Sequence, residues 1–149
     1  MNLFGIIPKG TSLIFVNDRG QVLLLLRDDK PAIPYPNMWD LPGGRVEDGE
    51  TPKVCIRREM REELGLEIED IQPFAVVRFD DRTEYVFWKR MNLAIDSIRL
   101  TEGQRMRWFS RHEVERTQLA FGFNSVLSAF FRDLSHGSLD LYLFSREKG

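Results

Sequence analysis

The stretch MWDLPGGRVEDGETPKVCIRREMREELGL, Met38 to Leu66, decides how this chain folds and what chemistry it carries. Pro42-Gly43-Gly44 breaks any regular element, and Thr51 then offers an N-cap with Pro52 at the first helical position. Gly65 stands where a left-handed residue ends a helix, so the pattern predicts a helix over about Pro52–Leu64. At about 100° per residue, Ile56, Met60 and Leu64 share one stripe, the side that packs inward. Arg57 and Arg61 lie beyond one edge of it, and Glu59, Glu62 and Glu63 crowd the other at i, i+3 and i+4. Like charges so spaced repel, and these lie in the half of the helix where the macrodipole favours cations. One reading is a solvated acidic face partly offset by Arg58 and Arg61. The glycine turn upstream favours another. Hard divalent ions such as Mg²⁺ take oxygen ligands at short range and share them with substrate phosphates. Three helix carboxylates plus a backbone carbonyl from the turn make such a set, and glycine lets the backbone approach ion or phosphate unobstructed. A divalent ion there neutralises the patch, orients a polyphosphate and acidifies the water that attacks phosphorus.

The surrounding chain sets the frame. Its 149 residues suit one domain, spanning 1–149, with a real core. Twenty-one basic residues against twenty-three acidic ones give a net charge of -2, which points to neither a nucleic-acid polymer nor an anionic membrane as partner. The single Cys55 cannot form an intrachain disulfide, and no Cys/His cluster suggests zinc. MNLFGIIPKG lacks the pattern of a secretory leader, and the run Val22–Leu26 is too short to span a bilayer. The expectation is a cytoplasmic protein.

GTSLIFVNDRGQVLLLLRDD reads as strands at about Thr11–Val16 and Gln21–Arg27 joined by the turn Asn17-Asp18-Arg19-Gly20. KPAIPYPNMW holds three prolines in six residues and is expected to be an ordered loop. IQPFAVVRF, TEYVFWKRMNLAI and QRMRWF read as further strands, and Ser110–Glu113 as a capping box opening a helix towards Thr117. NSVLSAFFRDL has apolar residues at helical spacing with Gly137 beyond its end, and SLDLYLF is a strand or an extended arm. The class is α+β or α/β/α.

Gly44, five residues, Glu50, seven residues, then Arg58-Glu59-Met60-Arg61-Glu62-Glu63-Leu64-Gly65-Leu66 resembles a complete Nudix box, and the preceding MWDLPG resembles the lead-in of its MutT-like branch. The resemblance implies an α+β Nudix fold, an α/β/α sandwich around a mixed sheet. It implies hydrolysis of a nucleoside diphosphate linked to another moiety, with Mg²⁺ or Mn²⁺. By the same resemblance Glu59, Glu62 and Glu63 are metal carboxylates, the Gly43 carbonyl is a further ligand, and Glu50 and Arg58 are a supporting pair. TEGQRMRWFS resembles the MutT stretch that adds one more glutamate to the metal site, here Glu102. Glu59, Glu62 and Glu102 are the candidates for general base, with Glu59 or Glu102 preferred.

FGFNSVL resembles the MutT segment whose asparagine reads an oxidised guanine, which places Asn124 at the base; Asn124 is equally a good N-cap. Phe121, Phe123 and Tyr35 are candidates to stack on a base, and Arg27 and Gly44 to meet a phosphate or ribose. Cys55 reads as a packing residue, and His112 and His136 receive no role. Pro73 lies too close to the box to mark an ADP-ribose hydrolase, while Tyr85 keeps a dinucleoside-polyphosphate hydrolase open. The expected substrate is an ordinary or oxidised nucleoside triphosphate such as 8-oxo-dGTP, cleaved to monophosphate and pyrophosphate. The alternative is a dinucleoside polyphosphate or nucleotide sugar. A monomer or a homodimer fits equally. Non-catalytic modules of this fold usually lose box glutamates, and this chain keeps them all.

Overall fold

The computed structural model describes residues 7–137 and 142–145. Its centre is β1 (Lys9–Val16), buried from its second residue onward. It pairs in parallel with β6 (Thr83–Arg90), from Lys9 opposite Thr83 to Val16 opposite Arg90. β2 (Val22–Leu26) returns antiparallel through the expected turn, where Asn17 Oδ1 accepts from the Arg19 and Gln21 amides. The short β3 (Trp39–Asp40) pairs with β2, and β4 (Gly43–Arg45) with the first half of β1. β5 (Gln72–Arg78) pairs antiparallel with β6, and β7 (Arg105–Phe109) antiparallel with β2. β8 (Tyr142–Ser145) lies parallel to β5, and the rest of the tail is outside the described residues. The main order is β3-β2-β1-β6-β5-β8, a mixed sheet as expected.

Successive side chains on β1 and β2 leave the sheet on opposite faces, and each face has a cover. Leu13, Phe15 and Leu23 join Ile56, Met60 and Leu64 of α1 (Pro52–Leu64). Ile14, Val16, Val22 and Leu24 join Val126, Leu127 and Phe130 of α3 (Asn124–His136). Burial on both faces is why β2 reads as an unbroken apolar run rather than an alternating one. The layers are therefore helix, sheet, helix. Among the described residues no helix is long and apolar enough to cross a membrane.

Three boundaries differ from the sequence reading. β6 ends at Arg90 instead of running to Ile95, because Asn92 turns aside to bond the Asp18 amide and carboxylate. A 3₁₀ turn at Ile95–Ser97 follows. α2 (Arg111–Glu115) carries both bonds of the capping box but stops early, and Thr117 Oγ1 donates to the Glu113 carbonyl. β3 and β4, in a stretch broken by proline and glycine, had not been expected to pair at all.

Phe130 is fully buried, edge-on to Phe74 at 5.3 Å between ring centroids. Phe130→Ala is expected to lower the unfolding free energy by about 3–5 kcal/mol, read from urea denaturation at unchanged m-value. A loss within experimental error would contradict this account of the core.

Candidate active site

α1 begins and ends as its sequence dictates: Thr51 accepts from the Val54 amide, and Gly65 takes a left-handed conformation at φ 68° with its N–H on the Arg61 carbonyl. This fixes the rotation of the helix, so the apolar stripe meets the sheet and the glutamates meet the β4 turn. Glu59 lies directly over Gly44, where an added Cβ would come within 1.6 Å of Glu59 Oε2. Gly43 is closed on its other side, its ideal Cβ only 1.9 Å from the Thr11 carbonyl oxygen. The two glycines are thus required by two different neighbours.

Arg58 organises the acidic patch. Its Nε donates to Glu50 Oε2 at 2.6 Å and its Nη2 to Glu50 Oε1 at 3.0 Å, a two-pronged pair. Nη2 also reaches the Arg45 carbonyl at 3.1 Å, and Nη1 reaches Glu62 at 3.1 Å. The hydrogen bonds from Arg58, then the Glu47 amide, hold the Glu50 carboxyl down at about 2. Burial first, then Glu62 and Glu102, raises Glu59 against the pull of Arg58. Burial first, then the charges of Glu59 and Glu102, pushes Glu63 up to about 8. Glu102 sits exposed on the loop before β7. That loop is tied down by Thr101 on the Glu62 carbonyl at 3.4 Å and Gln104 on the Leu26 carbonyl at 2.8 Å. The four carboxylates are therefore electrostatically one cluster, although they come from a helix and a distant loop.

Beside this cluster opens a cavity of about 570 Å³ whose wall includes Gly43, Gly44, Glu102, Phe121 and Phe123. Arg27 lines it, spending Nη1 on Asp40 at 3.0 Å and Nε on the Pro34 carbonyl at 2.9 Å. Asp40 is buried, and desolvation outweighs Arg27 to raise it to about 6. Tyr35, at positive φ on the proline loop, stacks obliquely on Phe121 at 4.6 Å.

Other expected residues lie elsewhere. Asn124 is neither the N-cap of α3, which is Phe123, nor part of this cavity. Its Oδ1 accepts from the Leu119 amide at 3.0 Å and its Nδ2 donates to the Thr117 carbonyl at 2.6 Å, which fastens the preceding loop. Tyr85 faces the α1 side, packed with the core there. Cys55 is buried between Thr11 and the Gly44 carbonyl, and burial pushes its thiol up to about 11, so it packs and does not react.

The sequence reading missed Asp40, Arg82, Glu84 and Ser12, all in the cavity wall. Glu84 had a signal: it occupies a position in TEYVFWKR that shares its face with core Val86. A carboxylate in the apolar phase of a strand is a site candidate.

A family model for the NUDIX domain matches residues 7–130. The chain belongs to the Nudix family. An RNA pyrophosphohydrolase of Pseudomonas fluorescens SBW25 is 35% identical over 102 residues, 65% of this chain and 55% of that protein. The chain thus spans little more than half the length of that curated relative. Two solved structures share the Nudix fold: a MutT protein of Methanosarcina mazei Go1 and a NUDIX hydrolase of Nitrosomonas europaea. The first has a TM-score of 0.68 at 22% identity and covers 89% of this chain and 99% of its own. The second has a TM-score of 0.75 at 21% identity, with 96% and 81% covered.

Among the described residues no three His, Cys, Asp or Glu side chains already stand in ion-holding geometry. The donor chemistry fits a hard divalent ion all the same: oxygens only, beside a glycine turn, in a cluster where burial and then mutual repulsion raise Glu59 and Glu63.

Since Glu63 is raised from an ordinary 4.5 to about 8, its protonated form favours the folded state. That contribution is complete below the unfolded value and disappears as pH rises through the folded one. Asp40, raised to about 6, acts in the same direction. Metal-free protein is therefore expected to lose thermal stability between pH 5 and pH 8 (about the span of these shifts). Glu63→Gln should flatten that decline, and a wild-type Tm that climbs across the window would refute it.

Proposed function

We propose that this Nudix chain hydrolyses a nucleoside 5′-triphosphate to the monophosphate and pyrophosphate with Mg²⁺ or Mn²⁺. The observation that supports it most is continuity. Gly43 and Glu102 border the cavity containing Phe121 and also the neighbouring depression that holds Glu63, so the acidic cluster and an aromatic-walled recess open into one another. A phosphate chain laid over the glycine turn has room for its nucleoside on one side and metal carboxylates on the other.

In this reading Glu59, Glu62, Glu63 and Glu102 would hold the ion together with the Gly43 carbonyl, and Gly44 borders the cavity in which the phosphate would lie. When bound, the ion neutralises phosphate charge and acidifies the attacking water. In the same reading Arg58 and Glu50 touch no phosphorus; their paired bonds steady the guanidinium that reaches Glu59 and Glu62. Glu59 and Glu102 are the candidates to accept the water's proton. Arg27, with its guanidinium carbon 5.1 Å from the Phe121 ring, is the candidate to meet ribose or phosphate.

A second reading keeps the chemistry and enlarges the substrate. The RNA pyrophosphohydrolase relatives favour a triphosphate at the 5′ end of RNA. A net charge of -2 argues against long-range attraction of a polymer, but this reaction needs only its first nucleotide in the cavity.

The test is Mg²⁺-dependent pyrophosphate release from nucleoside triphosphates and from a 5′-triphosphorylated oligoribonucleotide. Pyrophosphate is expected from the former, with Glu59→Gln lowering kcat by about a hundredfold or more, the scale of losing one charge-stabilising group. The variant should remain folded, since the change removes a repulsive charge. Release of single phosphates, or undiminished turnover by Glu59→Gln, would overturn the assignment. Turnover of the 5′-triphosphorylated oligoribonucleotide alone would select the RNA reading.

A further inference from the structure

The cavity wall also holds a carboxylate that the proposed hydrolysis does not use. Glu84 is 5% exposed, and it borders the cavity. One of its oxygens accepts from Ser12 Oγ and the other from Arg82 Nε at 2.9 Å. Burying a carboxylate is costly, and two anchors repay it by fixing the group in one orientation. Each oxygen keeps acceptor capacity beyond the single bond it receives. Gly10, its neighbour across the parallel ladder, leaves the space: a Cβ there would lie 2.2 Å from Glu84 Oε1.

Arg82, which holds Glu84, is itself wedged between rings, its guanidinium carbon 4.4 Å from the Phe79 centroid and 4.5 Å from that of Phe121. Phe121 carries a positive φ of 58°, unusual for so bulky a residue, and it lines the same cavity. A strained aromatic, a fixed carboxylate and two arginines therefore share one recess. This is more than an acidic patch: it has a flat apolar wall, a planar two-oxygen acceptor and N–H donors beside it.

We propose that Glu84 reads the base of the substrate by accepting the two adjacent N–H groups of a guanine, N1–H and the 2-amino group. A rigid carboxylate matches two neighbouring donors with its two oxygens, and guanine is the common base whose hydrogen-bonding edge supplies them. Adenine and cytosine set a ring-nitrogen acceptor beside their amino group, which repels a carboxylate. Uracil offers one N–H between two carbonyls. The O6 carbonyl of guanine is met by donors from Arg27 or Arg82. This edge is the same in oxidised and ordinary guanine, so Glu84 does not separate them. The proposal rests on the nucleotide-hydrolase reading only for delivery of the base to this recess.

The experiment compares GTP with ITP, which lacks only the 2-amino group, on the full chain with Mg²⁺, for wild type and Glu84→Gln. The expected kcat/KM ratio of GTP to ITP is about tenfold to a hundredfold, the scale of one hydrogen bond to a charged group. In Glu84→Gln it should fall towards one, because an amide turns a donor to the base. A ratio near one in wild type overturns the proposal, as does an equal fall for all triphosphates in the variant, the mark of a purely structural carboxylate. Calorimetric binding of GMP and IMP to wild type separates the two readings. Preference for GMP without any triphosphate hydrolysis upholds Glu84 and sinks the hydrolase reading. Hydrolysis with equal GMP and IMP affinity sinks Glu84 alone.

Discussion

The contact between Glu59 and the backbone of Gly44 is the constraint on which the rest depends. α1 can come so near the β4 turn only because no Cβ intervenes. Thr11 completes the junction, donating to the Gly44 carbonyl at 3.0 Å and lying 3.4 Å from the Cys55 sulfur. Strand, turn and helix are thus locked at the point where the carboxylates gather. The magnitudes say why the helix tolerates this. A like-charge pair on a helix costs about 0.2–0.5 kcal/mol, whereas each fully buried side chain such as Ile56 or Met60 contributes about 1.5–3 kcal/mol. The apolar stripe wins, and the acidic face is carried along with it.

Arg58 decides how the repulsion is distributed. It sits with its side chain largely covered, and its pair with Glu50 holds it firmly charged. Because Glu50 and the Arg45 carbonyl fix Nε and Nη2, only Nη1 is directed towards Glu59 and Glu62. Glu62, well exposed, takes the hydrogen bond from Nη1. Glu63 lies beyond it, more buried, and keeps its proton to a much higher pH. One arginine therefore serves Glu59 and Glu62, while burial and the neighbouring charges hold Glu63 well above the usual carboxylate range.

Much of this was legible in the chain. Thr51, Pro52 and Gly65 marked α1 to the residue, and Ile56, Met60 and Leu64 gave its inward face, because caps and periodicity are local signals. Glu102 was named from the resemblance of TEGQRMRWFS to a MutT stretch, and its charge acts on Glu63 from a different part of the fold. Asn124 shows the limit. Its amide serves the 114–119 backbone, a choice decided by how α2 and α3 pack, which no local pattern records. The parallel pairing of β1 with β6 is equally non-local, and it alone places Glu84 opposite Gly10.

That pairing suggests how one fold supports both halves of the recess. Twice a glycine faces a glutamate across an element boundary: Gly44 beneath Glu59, and Gly10 beside Glu84. In each case the missing Cβ lets a carboxylate lie against backbone, and an arginine steadies it, Arg58 in the first and Arg82 in the second. Their surroundings then separate their chemistry. Glu59 is surrounded by further carboxylates, which calls for a cation. Glu84 is bonded by a hydroxyl and a guanidinium among aromatic rings, and so has its charge answered by the protein itself. A carboxylate already balanced gains little from a metal ion and retains lone pairs for neutral N–H donors, so under the proposed roles the two glutamates would divide between phosphate and base without competing for the same ion.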